Sequence, residues 1–266
     1  MRLRFLKHLV PPAWRPRVRR WLRRPIYRGD YASWAQARAA SRGYDDPAIF
    51  EKALAATRAV RDGRAAWERD TVLFPEPACN EPLLAALRRA AAFHRGKLNL
   101  VDYGGALGST WWQHRTWLAD LVEVRWSIIE QPHFVAAGQG EFATGPLRFY
   151  ASLEECGALE EPRVILFSSV LPYLSQPYEA LAEVRRRPFT HVIIDRTGFV
   201  AGERDRLTVQ RVPASIYDAS YPCWFLAYPK LVADFGADWS IVQTWSTTDT
   251  VDIDAEYRGL MFERRR

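Results

Sequence analysis

The chain has 266 residues, enough for one large domain or one domain with an appendage, and its 48% hydrophobic and 26% charged residues are those of a globular protein. Its formal charge of +6 is local: residues 1–25 hold nine Lys/Arg and no Asp or Glu, and the remaining 28 basic side chains face 31 acidic ones, a body of −3 that argues against nucleic-acid binding. Cys79, Cys156 and Cys223 are scattered singly without metal-ligand spacing, so no metal site is expected and a reduced, cytoplasmic setting is.

The basic arm, residues 1–25, is too often broken by charges and prolines to be a secretory signal or a span. Leu6, Leu9 and Val10 share one helical face, as do Val18, Trp21 and Leu22, with arginines opposite. Such pieces lie on anionic membrane surfaces. Equally open are a solvated arm and one packed on its own domain or on the second subunit of a homodimer. Residues 26–95 read as a helical lead-in. It is alanine-rich around Trp34 and Ala37, with a second helix starting at Pro47 after Asp45–Asp46 and a third from Pro82 to about His94.

From residue 98 the pattern changes to apolar runs alternating with helical stretches. LNLVDY (98–103), VRWSIIE (124–130), LRFYA (147–151), PRVILFSS (162–169) and THVIIDR (190–196) read as buried strands. WSIVQTWS (239–246) and YRGLMFERR (257–265) follow as an antiparallel pair. The expectation is an α/β fold: a Rossmann-like, doubly wound, mostly parallel seven-stranded sheet closed by an antiparallel C-terminal pair, filling residues 96–266. Residues 205–228 break that rhythm with Tyr217, Tyr221, Trp224 and Tyr228, as a lid, an acceptor-binding insertion or an extra core layer.

In such sheets ligands bind beyond the carboxyl ends of the strands, and the loop after the first strand is the usual cradle. Here it reads Asp102-Tyr-Gly104-Gly105-Ala106-Leu-Gly108. Starting at Gly104, the dinucleotide pattern G-x-G-x-x-G meets Ala106 and Ser109 where it needs glycine, and no G-K-[ST] follows for a P-loop. The second strand ends on Glu130, whose carboxylate can accept hydrogen bonds from two ribose hydroxyls.

Acidic-x-Gly-x-Gly-x-Gly is the first motif of class I S-adenosylmethionine-dependent methyltransferases, and DYGGALG resembles it with Ala106 at the middle glycine. EQPHFV (130–135) resembles the D-L-P-H-V-V segment of small-molecule O-methyltransferases, and FSSVLPYLSQP (167–177) resembles their segment facing the donor. Together with IIDRT and DRLTVQRVPASIYDASYP, these stretches resemble a group of bacterial methyltransferases whose genes often accompany surface-polysaccharide assembly. The resemblance runs from about residue 28 to the C-terminus.

It implies S-adenosyl-L-methionine as cofactor. Asp102, Gly104, Gly105, Ala106 and Gly108 would hold its methionine end, Glu130 the ribose, Gln131 and His133 the adenosine, and Ser152 the adenine. Ser168 and Ser169 would border the donor, although a strand-end hydroxyl also caps backbone. For catalysis, His114 on the helix after the loop and His133 are candidate bases, as is Tyr173, which resembles the place where related enzymes carry theirs. Asp195 and Arg196 end the fifth strand on the same edge: the first as base or orienting group, the second for an anionic substrate group, unless the two only tie the strand end to its loop. Arg206, Tyr217, Tyr221 and Trp224 are candidate acceptor contacts, with Gln210 and Arg211 nearby. The implied reaction is O-methylation of a sugar hydroxyl on a bacterial surface glycan or its lipid-linked precursor, at the inner membrane. A small-metabolite O-methyltransferase and a non-catalytic binder of a nucleotide-like ligand remain alternatives.

Overall fold

The computed structural model describes residues 25–43, 47–212 and 219–265, without the side chains of residues 47 and 48. The expectations placed on residues 1–24, on Asp45–Asp46 and on Tyr217 lie outside the described residues. In chain order the strands are β1 (Tyr27–Arg28), β2 (Trp67–Arg69), β3 (Val72–Phe74), β4 (Lys97–Tyr103), β5 (Glu123–Ile129), β6 (Leu147–Tyr150), β7 (Val164–Ser168), β8 (His191–Val200), β9 (Arg206–Arg211), β10 (Ser220–Ala227), β11 (Trp239–Ser246) and β12 (Glu256–Arg264). The helices are α1 (Trp34–Ala39), α2 (Pro47–Arg61), α3 (Glu81–Phe93), α4 (Ser109–His114), α5 (Pro132–Ala137), α6 (Leu153–Glu160), α7 (Pro177–Arg186) and α8 (Tyr228–Phe235). Among the described residues no helix is long and apolar enough to cross a membrane.

The seven expected strands form one sheet in the order β6-β5-β4-β7-β8-β12-β11. Its first five members are parallel, and β12 runs antiparallel to both β8 and β11. Burial on both faces explains the near-continuous apolar runs. Along β7, Val164 and Leu166 join the core under α3, α4 and α5, whereas Ile165 and Phe167 join the core under α6, α7 and α8. Along β8, Ile193 goes one way and Val192 and Ile194 the other. The chain leaves β4 toward β5 and β6, then returns to β7 on the other side of β4. Strand order therefore reverses between β4 and β7, which opens a crevice at their carboxyl ends.

Three further strands enlarge the sheet to ten. β8 outruns β7, and its last residues, Phe199 and Val200, pair in parallel with Leu226 and Ala227 of β10. β10 pairs with β9 and β9 with β1, both antiparallel. The described part of 205–228 is thus mainly sheet, hung on an overlong central strand and completed from the N-terminal side by Tyr27 and Arg28.

The lead-in also departs from an all-helical region. Besides α1, α2 and α3 it contains the β2–β3 hairpin, in which Trp67 stacks on Phe74 with ring centroids 3.9 Å apart. Its two turn residues, Asp70 and Thr71, both have positive φ, 52° and 69°. That is the turn geometry a two-residue hairpin requires, filled here without the glycine that signals it in sequence.

Candidate active site

A cavity of about 890 Å³ occupies the crevice where strand order reverses. Asp102, Gly104, Gly105 and Ala106 form one wall, with Glu130 and Gln131 beside them and Ser168 and Ser169 at the end of β7. The loop after β4 alternates in backbone hand: Gly104, Ala106 and Gly108 have φ of 71°, 50° and 91°. At Gly104 a Cβ would lie 2.4 Å from Val170 Cγ2, so glycine is needed there for space as well as for φ. Ala106 adopts the left-handed conformation with a side chain, at a cost of about 1–2 kcal/mol. Gly108 lines no part of the cavity; it makes the turn into α4.

Glu130 stands immediately past β5. Its Oε1 accepts the amide of Ala106 at 3.2 Å, and its Oε2 accepts the amide of Gln131 at 2.8 Å. Burial raises its pKa and the two amides work against that rise. Asp102 is buried, with Oδ2 accepting Trp126 Nε1–H at 3.1 Å. Its pKa is pushed up to about 7, chiefly by burial, with Glu130 and Asp195 adding to the rise.

Two of the catalytic candidates turn away from the cavity. His114 is buried, and both of its nitrogens are engaged. Nδ1 lies 2.8 Å from the Thr110 carbonyl, which can only accept, so Nδ1 carries the proton; Nε2 accepts the Asn80 amide at 3.1 Å. Burial lowers its pKa. A neutral imidazole with its lone pair already occupied is not a base for an acceptor in the cavity. Asp195 is likewise buried. Its Oδ1 accepts Trp245 Nε1–H at 2.9 Å, and its Oδ2 accepts the Ser168 hydroxyl at 3.1 Å and Asn80 Nδ2 at 3.3 Å. Burial raises its pKa against those bonds. His114, Asn80 and Asp195 form one polar network beneath the site, and neither His114 nor Asp195 lines the cavity.

Arg196 does reach the cavity. Its Nη2 donates to Asp70 Oδ2 at 3.1 Å, and its Nε lies 3.4 Å from Asp249 Oδ2. Burial opposes its charge, but Asp70, Asp249 and Asp195 outweigh that and raise its pKa. Tyr173 also lines the cavity and donates its hydroxyl proton to Gln210 Oε1 at 2.7 Å. Burial first, and then the neighbouring thiol and phenols, hold its pKa well above the ordinary value, so it keeps its proton.

The remaining expectations divide. Tyr221 lines the cavity, in edge contact with Tyr173. Trp224 points elsewhere and stacks on Trp34, and Arg206 donates to the Gly29 carbonyl. Ser152 caps α6 by accepting the Glu155 amide, and exposed His133 packs edge-on against Phe50; neither lines the cavity.

Several wall residues carried no signal in the sequence. Tyr27 and Tyr257 join their hydroxyls at 2.5 Å across 230 positions, and Trp34, Asp70 and Asp249 line the same space. Glu68, from β2, is buried in that wall: Oε1 accepts the Ser109 hydroxyl and Oε2 the Thr71 amide at 3.1 Å. A buried carboxylate in a short amphipathic stretch is visible only as an acid following a tryptophan, which is too common to single out.

No family model matches the chain, and no curated protein matches it. Solved structures similar to it include the N-terminal domain of EvdMO1 in the presence of SAH and D-fucose, at 13% identity and a TM-score of 0.47, over 84% of this chain and 98% of that one. Burkholderia thailandensis 1,6-didemethyltoxoflavin-N1-methyltransferase, with bound 1,6-didemethyltoxoflavin and S-adenosylhomocysteine, is 16% identical with a TM-score of 0.45, over 91% of this chain and 94% of that one. The glycopeptide N-methyltransferase MtfA, complexed with S-adenosyl-L-methionine, is 10% identical with a TM-score of 0.45, over 68% and 87%. All three are distant, and the functional reading rests on the site's own geometry.

Proposed function

We propose that this protein is an S-adenosylmethionine-dependent methyltransferase that methylates a hydroxyl of a sugar ring, in a bacterial surface glycan or its lipid-linked precursor. The observation that carries the reading is the pairing of the turn at 104–108 with Glu130 on one wall of a cavity at the strand-order reversal. The residues present fit the donor. Gly104 leaves room where a Cβ would collide, and Glu130 has two carboxylate oxygens with lone pairs to spare for ribose hydroxyls.

Bound there, S-adenosylmethionine supplies a methyl group on a positively charged sulfur, ready for in-line displacement. The protein's contribution is alignment. Glu130 and Gln131 hold the nucleoside end, and Asp102 with the loop holds the other. On the far side, Tyr27, Tyr173, Tyr221 and Tyr257 offer the aromatic faces and hydroxyl tips that suit a sugar ring. Arg196, locked between Asp70 and Asp249, orients an anionic or hydroxyl group, and either aspartate can receive the proton of the attacking hydroxyl. Residues 1–25, with nine basic side chains, would bring the enzyme to the anionic leaflet where lipid-linked precursors are assembled.

Calorimetry with S-adenosylhomocysteine tests the donor site. Wild type should bind, and Glu130→Ala should bind about ten- to a hundredfold more weakly, the loss expected for hydrogen bonds to a charged group. No binding by wild type sinks the reading. Incubation with methyl-labelled donor and isolated glycan lipids then tests the acceptor. Co-sedimentation with anionic vesicles, with and without residues 1–25, tests the arm: equal pelleting removes the membrane role.

A further inference from the structure

Glu68 is a buried acid in the N-terminal hairpin. It sits in a three-residue strand of a two-stranded hairpin, 5% exposed, in the wall of the cavity. Enclosing a carboxylate is costly unless its charge is met. What meets it is modest: one hydroxyl from Ser109, one amide from Thr71, and the more distant charge of Arg196, opposed by that of Asp70. Burial accordingly raises its pKa. The carboxylate is therefore incompletely compensated and lies beside an open space, where a cation carrying N–H groups would complete it.

Its position says which cation. Ser109 follows Gly108 directly, so Glu68 is anchored at the end of the donor loop opposite Glu130. A donor whose ribose is held at Glu130 must cross residues 104–106 to reach the rest of the cavity. Its amino-acid tail would then run toward Ser109, which lines the cavity. That tail bears an ammonium with three donors, whereas the sulfonium has none.

We propose that Glu68, contributed by the N-terminal hairpin, receives the α-ammonium of the methyl donor's amino-acid tail. The inference rests on the methyl-donor reading above and gives the lead-in a direct part in cofactor binding: β2 and β3 complete the donor site rather than merely precede the sheet.

The test compares two nucleosides that share adenosine and sulfur but differ in the tail, S-adenosylhomocysteine and 5′-methylthioadenosine, by calorimetry on the full chain. Wild type should prefer the first. Glu68→Gln should weaken S-adenosylhomocysteine about ten- to a hundredfold, as for a lost charged hydrogen bond, and leave 5′-methylthioadenosine within twofold. Glu130→Ala should weaken both. Glu68→Asp, which keeps the charge but withdraws it, should recover part of the preference, and a misfolded variant would lose both ligands together. The inference is overturned if wild type binds the two nucleosides equally, or if Glu68→Gln keeps the wild-type preference for S-adenosylhomocysteine. If wild type binds neither, it is the methyl-donor reading itself that fails.

Discussion

The amide of Ala106 donates to Glu130 Oε1 at 3.2 Å, and this bond, with that of the Gly104 amide to the Ile129 carbonyl at 2.8 Å, joins the turn after β4 to the end of β5. The residue that makes the first of these bonds also carries a strained backbone. At φ 50° its N–H is aimed at Glu130, and its methyl group is carried in a conformation that glycine adopts without cost.

Ala106→Gly should therefore stabilise the protein. Relief of about 1–2 kcal/mol at the left-handed residue exceeds the extra unfolded-state entropy of glycine, about 0.5–1 kcal/mol. A net gain of about 0.5–1 kcal/mol in urea denaturation, with donor affinity retained, is the expected result. A loss of stability would mean that the Ala106 methyl packs well enough to outweigh the strain.

Gly104→Ala should act in the opposite direction. The new methyl would lie 2.4 Å from Val170 Cγ2 on a backbone with φ 71°, so conformational strain and overpacking add to about 2–4 kcal/mol. Combining it with Val170→Ala should remove the collision and leave the conformational part. If the double variant is no more stable than Gly104→Ala alone, the close contact is not the cause.

The Asp102 carboxyl gives a pH dependence of defined sign. Unfolded, it titrates near 3.8; folded, near 7, because burial, Glu130 and Asp195 disfavour its charge. Between those values the folded state binds the extra proton, so the contribution of Asp102 to stability is most favourable below about pH 4, falls as pH rises to about 7 and changes little beyond. Asp102→Asn keeps an acceptor for Trp126 and removes the titration. It should be more stable than wild type by an amount on the order of 4 kcal/mol at pH 8, and no more stable at pH 4. An equal difference at both pH values would refute the assignment.

His114→Phe separates a structural histidine from a catalytic one. The change deletes two hydrogen bonds and leaves the Asn80 amide unpaired, for a loss of about 2–3 kcal/mol in stability. Methyl transfer per folded molecule should stay within about twofold, whereas removing a true base costs about a hundredfold or more. Assays well below the unfolding midpoint distinguish the two.

What could be read ahead of the structure follows from local periodicity. In Val164–Ser168 successive residues enter opposite cores, and that requirement for burial on both faces is written in each strand without reference to any other. The β2–β3 hairpin escaped because its turn is Asp70-Thr71 rather than a glycine-bearing pair, and because three-residue strands are too short to show a period. The strands of 205–228 escaped because they attach to an extension of β8 whose length only the finished sheet reveals.

The amino-acid sequence alone determined the doubly wound sheet, the turn at 104–108 and the acid at 130, since strand alternation and a chain reversal at the strand end are properties of neighbouring residues. The tertiary structure decided which polar groups face the cavity. His114 and Asp195 stand at the right edge of the sheet but point into its interior, where Asn80, Ser168 and Trp245 satisfy them. Glu68, Tyr27, Asp249 and Tyr257 are brought to the same wall from segments up to 230 positions apart. The direction of a buried side chain is set by whichever element packs against it, and that element can come from anywhere in the chain.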